Sequence, residues 1–461
     1  MSRANWCLVG GPLLASGVGV AALGADLPGP ACWTAAVTAL CAVWWVLEPI
    51  PIPATSLIPF FVFPLTGVLS NKAVAGSYGH ELILLLLGGF ILSTAMERSG
   101  AHRRLALGMV RAVGWSGRRG LVLGFMLATA LCSMWISNTA TVLMMLPIAL
   151  AVLDRDGDLS IPLLLGIAYA ASVGGMGTPI GTPPNIIFQG IYREMTGQEV
   201  SFAQWMQWGV PVVVVFIPVI WLWITRNIRA GAPLEVPHPG AWRPAERRVL
   251  ILFAITALGW ILRSEPFGGW KRGFSGHAWE GLPVGDDTVA LAAVVALFVI
   301  PDGEGGRMLD WKTAERIPWG LLLLFGGGLA IANAFKVSGL STTIGEALRP
   351  LTDWPTVLMI AIICLAVTFL TEVTSNTATT TLLMPVLASA GLSAAVDPVL
   401  LMVPAALSAS CAFMLPVATA PNAIVFGTGH IAILRMAREG VILNLLGAAV
   451  ITTACLLLLP G

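Results

Sequence analysis

The pentapeptide Ser-Asn-Thr-Ala-Thr occurs twice in this chain, at Ser137–Thr141 and, without a single change, at Ser375–Thr379. A proline follows each copy ten residues after its serine, at Pro147 and Pro385. Both copies lie inside apolar stretches, where a polar tripeptide needs hydrogen-bond partners or costs several kcal/mol. The repeated pentapeptide therefore predicts two equivalent polar sites in a chain built from two related halves.

Two further landmarks repeat in the same order around the pentapeptides. The run Leu84–Gly89 is echoed by Leu321–Gly327, and Gly-Thr-Pro-Pro-Asn at Gly181–Asn185 is echoed by Ala-Thr-Ala-Pro-Asn at Ala418–Asn422. The spacing from the Asn of the pentapeptide to the Asn of the proline motif is the same in the two halves to within a single position. Five predicted spans separate equivalent points. An odd number of spans inverts the second copy, which is the inverted-repeat pattern of secondary transporters.

The composition is that of a membrane protein, because 57% of the 461 residues are apolar and 11% are charged, against about a quarter in soluble domains. We predict an all-α polytopic fold with two shorter helical hairpins, at 124–152 and 357–392, and eleven spans that begin near residues 7, 33, 54, 82, 161, 208, 248, 287, 317, 398 and 440. The net charge of +1 argues against a nucleic-acid surface. Seven cysteines without a CxxC pair suggest neither a disulfide framework nor a zinc site.

The whole chain, residues 1–461, is interpreted as a single membrane module. Residues 1–30 form an extra first helix rather than a cleaved signal peptide, residues 31–228 the first repeat, and residues 229–461 the second. With the N-terminus inside, 18 of the 25 Lys and Arg residues fall in cytoplasmic segments, and the others fall outside: Lys72, Arg193, Arg263, Lys271, Arg272, Lys336 and Arg349. Basic residues collect on the cytoplasmic side of membranes. We therefore expect a plasma-membrane (bacterial inner-membrane) protein with a cytoplasmic N-terminus and an external C-terminus.

Each hairpin is long enough for two half-helices but not for two full spans, so the Ser-Asn-Thr tripeptide is expected at a re-entrant tip near the membrane midplane. The second half-helix begins there, and its free N–H groups and positive dipole end favour an anion. Ser and Thr hydroxyls and the Asn amide add polar contacts. Helix capping by Ser or Asn is the plainer interpretation of a single copy, but two identical copies at repeat-related positions favour a binding site.

The proline motifs predict unwound backbone at the same depth. Proline removes a hydrogen-bond donor and frees carbonyls one turn back, which a membrane helix tolerates where the backbone lines a cavity. Freed carbonyls, Thr hydroxyls and an Asn oxygen would suit a hard monovalent cation, since the motifs contain no carboxylate, and a simple proline kink is the alternative. Neither motif holds Lys, Arg or His, so a bound anion would depend on co-bound cations, which gives a physical reason for coupling.

One acidic residue, Glu372, lies three positions before Ser375 in an apolar run. Carboxylates within a membrane are candidates for function. Two roles are open for Glu372. It bonds the hairpin to its neighbours as a structural element, or it takes part in proton coupling.

At these motifs the chain resembles the divalent anion:sodium symporter family, which comprises sodium-coupled dicarboxylate, citrate and sulfate cotransporters. The paired Ser-Asn-Thr signatures carry the resemblance, with support from Glu-Pro-Ile-Pro-Ile-Pro at Glu48–Pro53, from Pro318–Trp319 ahead of the leucine run, and from Pro421–Ala423. The resemblance covers nearly the whole chain. It implies eleven spans, two re-entrant hairpins, a scaffold domain that forms a homodimer, and a transport domain that moves as an elevator.

The resemblance also implies binding residues, carried over by motif. One sodium ion would be held by Ser133, Ser137, Asn138 and Gly181, and a second by Thr371, Thr374, Asn376 and the backbone of Ala418. The substrate would contact residues of both halves: Ser137, Asn138, Thr139, Thr182, Ser375, Asn376, Thr377 and Thr419. The chain departs from the family pattern at Ala420, where dicarboxylate carriers have the first proline of the motif, and this leaves the size of the substrate open.

The leading hypothesis is import of small dianions, above all the four-carbon dicarboxylates succinate, malate and fumarate, together with sodium ions. Sulfate uptake, citrate uptake and sodium-independent exchange are alternatives, and intact oxygen ligands at both cation sites argue against the exchanger. A channel fits paired re-entrant tips less well than alternating access. A membrane-embedded enzyme is disfavoured because the sequence holds no HExxH and no catalytic Ser/His/Asp constellation. No organic cofactor is implied, and the expected partners are the dianion, sodium, the lipid bilayer and a second copy of the chain.

Overall fold

The computed structural model describes residues 3–114, 117–153, 159–229, 238–264, 269–270, 284–348 and 354–460. Within these ranges the regular elements are helices, apart from one isolated antiparallel bridge between Pro301 and Arg307. The predicted all-α class is confirmed. Some basic residues that entered the prediction of orientation lie outside the described residues: Arg155, Lys271, Arg272 and Arg349.

Polar and glycine breaks between apolar runs set the helix ends in the first half. Ser70 and Ser201 cap two helices by accepting hydrogen bonds from Ala73 N and Gln204 N, and Gly100 ends another with a φ of 76°. The described helices of this half are α1 (Arg3–Gly24), α2 (Gly29–Leu47), α3 (Ile52–Thr55), α4 (Ile58–Leu65), α5 (Asn71–Tyr78), α6 (Glu81–Ser99), α7 (Ala101–Gly114), α8 (Arg118–Ser133), α9 (Asn138–Leu153), α10 (Ser160–Gly175), α11 (Pro183–Thr196) and α12 (Phe202–Thr225).

The second half repeats the order of the first. Its described helices are α13 (Pro244–Ile261), α14 (Asp286–Val299), α15 (Trp311–Ala314), α16 (Trp319–Ser338), α17 (Leu340–Leu348), α18 (Thr356–Thr371), α19 (Asn376–Ser393), α20 (Val399–Ser408), α21 (Ala420–Phe426) and α22 (Ile433–Leu458). The succession α6 to α12 recurs as α16 to α22. Both ends of α8 are related to the ends of α18 by the offset that relates the two pentapeptides, and the same offset relates the start of α9 to the start of α19.

Two helix pairs occupy the positions of the predicted hairpins. α8 and α9 are joined by residues 134–137, and α18 and α19 by residues 372–375. α8 and α18 have 16 residues each, which corresponds to a length of about 24 Å and falls short of a hydrocarbon core roughly 30 Å thick. The first pair begins at Arg118 rather than near residue 124, because the basic residues that precede the apolar run are themselves helical.

Two further helices are interrupted at the proline motifs. The backbone is not α-helical between the end of α10 and the start of α11, residues 176–182, or between α20 and α21, residues 409–419. Proline stands in the first turn of both α11 and α21, where its missing N–H leaves no helical bond unmade. α10 packs against α8 and α9, and α21 packs against α9 and α10, so the interruptions lie beside the hairpins.

In the described part of the chain, six helical segments are long and apolar enough to cross a membrane: Trp6–Gly24, Gly29–Leu47, Asn71–Ser99, Phe202–Thr225, Trp319–Ser338 and Ile433–Leu458. Shorter apolar helices accompany them, including α9, α10, α18 and α20. Large apolar side chains such as Val214, Leu222 and Ile255 are exposed on the outer faces, as lipid contact requires. The count of eleven spans and the re-entrant course of the hairpins stay predictions.

Candidate functional site

A cavity of about 1030 Å³ lies where the two hairpin tips and the two interrupted helices meet. Ser137–Thr139 and Thr374–Thr377 line it from the tips, and Gly181–Pro183 and Ala418–Pro421 line it from the interrupted helices. The tertiary structure therefore collects hydroxyls, amides and helix ends from both halves at one place.

Most residues singled out from the sequence line this cavity. Ser137 and Thr139 are exposed in it, whereas Thr182 and Thr377 are mostly buried. Ser133 and Thr371 are fully buried directly behind the two tips. Of the residues singled out from the sequence, those that line the cavity are Ser137, Asn138, Thr139, Gly181, Thr182, Thr374, Ser375, Asn376, Thr377, Ala418 and Thr419.

The first tip is backed by a cluster of oxygen atoms with few donors. Ser133 Oγ lies 2.5 Å from Asn138 Oδ1 and 2.7 Å from the carbonyl oxygen of Ala171. A hydroxyl has one proton and donates to only one of these two oxygens. With the Asn138 amide oriented as it is here, two lone pairs face each other without a proton between them. Oxygen-rich, donor-poor geometry of this kind suits a hard cation.

The second tip has the same arrangement at equivalent residues. Thr371 Oγ1 lies 2.5 Å from Asn376 Oδ1 and 3.1 Å from the carbonyl oxygen of Ala409. Ala409 corresponds to Ala171 in the repeat by the same offset that relates Thr371 to Ser133. The two clusters are therefore related by the repeat down to individual atoms.

Gly175 leaves open the space in front of the first cluster. A Cβ atom at this position would lie 2.9 Å from Asn138 Oδ1 and 3.1 Å from the carbonyl oxygen of Gly181, so both oxygens border the same small volume. The sequence interpretation missed Gly175. The sequence feature that could have indicated Gly175 is the pair Gly174–Gly175, which lies shortly before the proline motif where α10 ends.

The asparagines of the proline motifs hold the unwound backbone in place. Asn185 Nδ2 donates to the carbonyls of Gly175 at 2.9 Å and Thr178 at 2.7 Å. Asn422 Nδ2 donates to the carbonyls of Ala412 at 2.9 Å and Leu415 at 3.1 Å. The sequence interpretation took an oxygen of this Asn for a cation ligand. In the structure its NH₂ group bridges two carbonyls, because an interrupted helix leaves carbonyls that need donors. Its Oδ1 is buried without a hydrogen-bond partner among the described residues, so the role of that oxygen as a cation ligand stays a prediction.

Several hydroxyls at the tips also make local hydrogen bonds. Ser137 Oγ accepts from Ala140 N at 3.2 Å, and Thr419 Oγ1 accepts from Asn422 N at 3.3 Å, so both act as helix caps. Thr374 Oγ1 donates to the Leu370 carbonyl oxygen at 2.8 Å and forms a hydrogen bond with Thr379 Oγ1 at 2.6 Å. Capping and ligand binding are compatible, since an oxygen that accepts one bond keeps a second lone pair.

Charged and titratable side chains line the cavity outside the tips. Glu48, Glu97 and Arg316 are exposed and mark its mouth, whereas His102 is buried. Burial lowers the pKa of His102, and a hydrogen bond between its Nδ1 and the Met96 carbonyl opposes that shift. Of the described residues that line the cavity, Arg316 is the only Lys or Arg. No group of three His, Cys, Asp or Glu side chains suited to a metal occurs in the described residues.

Comparisons with known proteins bear on the family of the chain rather than on individual site residues. The family model described as "Citrate transporter" matches residues 42–402. The sodium-dependent dicarboxylate transporter SdcS of Staphylococcus saprophyticus is 42% identical over 92% of this chain and 85% of that protein. SdcS of Staphylococcus aureus strain MSSA476 is 40% identical over 94% of this chain and 87% of that protein.

Solved structures share the fold at low sequence identity. The YdaH transporter of Alcanivorax borkumensis superposes with a TM-score of 0.55 at 16% identity, over 85% of this chain and 86% of that one. MtrF of Neisseria gonorrhoeae, described as one of a class of antimetabolite efflux pumps, superposes with a TM-score of 0.61 at 15% identity, over 93% and 94%. These two similarities bear on the fold alone. The long match to the citrate transporter family and the 40–42% identity to its relatives go further, and the chain belongs to this family of membrane transporters, the divalent anion:sodium symporters that its motifs resemble.

Proposed function

We propose that the protein is a symporter that carries small dianions, above all the four-carbon dicarboxylates succinate, malate and fumarate, together with sodium ions. The observation that carries the proposal is the meeting of two equivalent Ser-Asn-Thr tips in one cavity, each backed by a donor-poor oxygen cluster. The similar staphylococcal proteins, whose length this chain spans to more than four fifths, are named sodium-dependent dicarboxylate transporters.

A ligand with a carboxylate at each end matches the two tips. α9 begins at Asn138 and α19 at Asn376, so the first N–H groups of two half-helices border the cavity from the two halves. The hydroxyls of Ser137, Thr139 and Ser375 add donors beside them. A dicarboxylate engages both tips at once, whereas a compact sulfate ion engages one tip well and the other poorly.

Citrate is the second candidate because of two observations. Ala420, at the position of the usual first proline, is exposed in the cavity and leaves room for a larger anion. Arg316 at the mouth offers a positive charge to a third carboxylate. The tips themselves hold no basic side chain, so a third carboxylate deep in the cavity would stay unpaired.

The two oxygen clusters are the cation sites of the proposal. The first cation site adds Ser137 and the backbone of Gly181 to Ser133 and Asn138, and the second adds Thr374 and the backbone of Ala418 to Thr371 and Asn376. Asn138 and Asn376 belong to a cluster and also line the cavity, so each would contact a cation and the anion. The dianion loses its nearest positive charges when the cations leave, which couples the two fluxes.

The exposed end of the cavity bears on the transport step. Its exposed mouth residues, Glu48, Glu97 and Arg316, are on the side that is cytoplasmic if the N-terminus is cytoplasmic. Toward the other side, α11 packs closely on α16, where a side chain at Gly190 would collide with the ring of Phe325. This favours an inward-open state of an alternating-access carrier. We propose an elevator movement within a homodimer, with sodium-independent exchange as the alternative coupling.

Counterflow and gradient-driven uptake in proteoliposomes test the proposal. Labelled succinate should accumulate with an inward sodium gradient and not with potassium or choline. Unlabelled malate and fumarate should compete better than citrate, and sulfate and glutamate should compete poorly. Equal uptake in sodium and choline would refute the coupling, and stronger competition by sulfate than by malate would replace the dicarboxylate with sulfate.

A further inference from the structure

Glu372 is a carboxylate enclosed by hydrogen-bond donors behind the second tip. It is 3% exposed. Its Oε1 accepts from the backbone N–H of Phe413 at 2.7 Å, from Met414 at 2.9 Å and from Asn444 Nδ2 at 2.8 Å. Its Oε2 accepts from the N–H of Leu415 at 3.0 Å. Three consecutive amides and one side-chain amide therefore converge on a single carboxylate.

This pattern of four donors favours a negatively charged acceptor. An ionised carboxylate only accepts hydrogen bonds, whereas a protonated one must donate its own proton. All four partners of Glu372 are donors, and amide bonds to a charged carboxylate are stronger than bonds to a neutral one. The four donors therefore stabilise a negative charge beside the second hairpin tip.

No basic side chain neutralises that charge. Among the described residues, none of the Lys, Arg or His groups lies within ion-pair distance of Glu372, and the neighbouring Glu439 takes Arg226 and Arg435 as its partners instead. A buried charge without a counter-charge is strongly unfavourable. Hydrogen bonds offset part of that penalty, and a nearby cation would offset more.

The segment that Glu372 holds is the one that carries the second cation site. Residues 409–419 run between α20 and α21 without helical structure. At one end, the Ala409 carbonyl oxygen accepts a hydrogen bond from Thr371 Oγ1. At the other end, Ala418 lines the cavity. Glu372 follows Thr371 directly and binds the middle of the segment, where Tyr169 Oη also donates to the Phe413 carbonyl at 2.9 Å.

The first half has no carboxylate at the position equivalent to Glu372. The position equivalent to Glu372 in the first repeat is Met134, directly after Ser133, and its backbone carbonyl accepts from the hydroxyl of Thr178. Trp205 Nε1 donates to the Met176 carbonyl at 2.9 Å and completes the support of the first interrupted segment. Every one of these partners is neutral. The two oxygen clusters have equivalent oxygen atoms, but only the second has a carboxylate, that of Glu372, beside it.

We propose that Glu372 is the fixed counter-charge and the positioning residue of the second cation site. Its carboxylate holds residues 413–415 so that Ala409 and Ala418 face Thr371 and Asn376, and the sodium ion bound there neutralises it. The proposal rests on the proposed sodium coupling. It implies that the second site binds sodium more tightly than the first and that sodium orders the segment 409–419.

The test measures sodium binding without substrate. Thermal unfolding of the purified protein in detergent is followed while sodium replaces potassium at constant ionic strength. Glu372→Gln keeps the size and one acceptor oxygen but loses the charge. We expect the sodium concentration that gives half of the stabilisation to rise at least tenfold, with a much smaller change of the unfolding temperature in potassium. A residue with only a structural role would lower that temperature and leave the sodium concentration unchanged. Met134→Gln, at the equivalent position, should leave it within twofold.

A charge-swap variant keeps the proposal falsifiable if the single variant does not fold. Glu372→Gln combined with Asn444→Asp moves the carboxylate to its hydrogen-bond partner and lets Gln donate to it. We expect its half-stabilising sodium concentration to lie within about threefold of the unmodified protein. A loss of tenfold or more in this variant, or an unchanged value in Glu372→Gln, would overturn the proposal. An unmodified protein that sodium does not stabilise would instead contradict the proposed function itself.

Discussion

The hydroxyl oxygen of Ser133 lies 2.5 Å from the side-chain oxygen of Asn138. Thr371 stands at the same distance from Asn376 in the second half. Each hydroxyl is fully buried, and each amide belongs to the first residue of a helix, α9 or α19, that borders the cavity. The hydroxyl–amide pair is thus the link between the buried oxygen cluster and the place where an anion would bind.

Removing either hydroxyl should weaken sodium binding. Ser133→Ala and Thr371→Ala each delete one oxygen from a cluster, and we expect the half-saturating sodium concentration for succinate uptake to rise by roughly tenfold, which corresponds to about 1.4 kcal/mol. Ser133→Thr and Thr371→Ser keep the oxygen and serve as matched controls. Uptake measured against sodium concentration checks this, and equal curves for the alanine and hydroxyl variants would contradict it.

A methyl group at Gly175 should block the first cation site. Gly175→Ala places Cβ 2.9 Å from Asn138 Oδ1 and 3.1 Å from Gly181 O, inside the space that the two oxygens border. We expect sodium-dependent uptake to fall below about a tenth of the unmodified rate, since this is more than the loss of one hydrogen bond. Gly108→Ala is the control, because nothing lies within 4 Å of its added Cβ. Uptake by Gly175→Ala at the rate of Gly108→Ala would rule out a cation at this position.

The two asparagines at the tips should be indispensable for transport. Asn138→Ala and Asn376→Ala each remove an amide that would touch both a cation and the anion, so we expect transport to disappear while the protein still folds. Size-exclusion chromatography and thermal unfolding report the fold, and labelled succinate uptake reports transport. A variant that keeps more than about half of the uptake would refute the assignment, because a loss of roughly 1–3 kcal/mol predicts far less.

Uptake should depend on the charge state of the substrate. The second carboxyl of succinate titrates roughly one pH unit above ordinary side-chain carboxyls, which have pKa values near 4. As the pH falls below about 5.5, the singly charged form gains in population and loses one of its two anchors, so succinate uptake should decrease. A flat pH profile of succinate uptake between pH 7 and 5 would show that the singly charged form is carried equally well.

Breaking the buried ion pair of Arg263 and Asp286 should destabilise the fold away from the cavity. Arg263 Nε lies 2.6 Å from Asp286 Oδ1, and Arg263 Nη2 lies 2.6 Å from Glu199 Oε1. Arg263→Met leaves the buried Asp286 carboxylate unpaired, and we expect a loss of about 3–5 kcal/mol of stability, measured by unfolding in detergent. Arg243→Met breaks an exposed pair with Glu304 and should change the unfolding temperature little. Equal effects of the two substitutions would contradict this account.

Much of the fold and of the site follows from the sequence because both depend on local patterns. The helix pair 118–153 overlaps the predicted hairpin 124–152, and the pair 356–393 overlaps 357–392, since apolar length and a polar interruption are visible in a single stretch of chain. The interruptions at Pro183 and Pro421 follow from a property of proline itself. The repeat then predicts that each half contains the same helix pair and the same interrupted helix.

The amino-acid sequence by itself determined the class of protein, the two tips and the residue types that face the cavity, because membrane depth leaves few solutions for a polar tripeptide. Only the tertiary structure decided which atoms meet. Glu372 binds three amides of a distant interrupted segment and the side chain of Asn444 on the last helix, and Gly175 is open toward Asn138 from a different helix. The roles of Asn185 and Asn422, as bridges between carbonyls, also depend on how the interrupted backbone turns. Contacts of this kind join segments that no local pattern relates, so packing alone sets them.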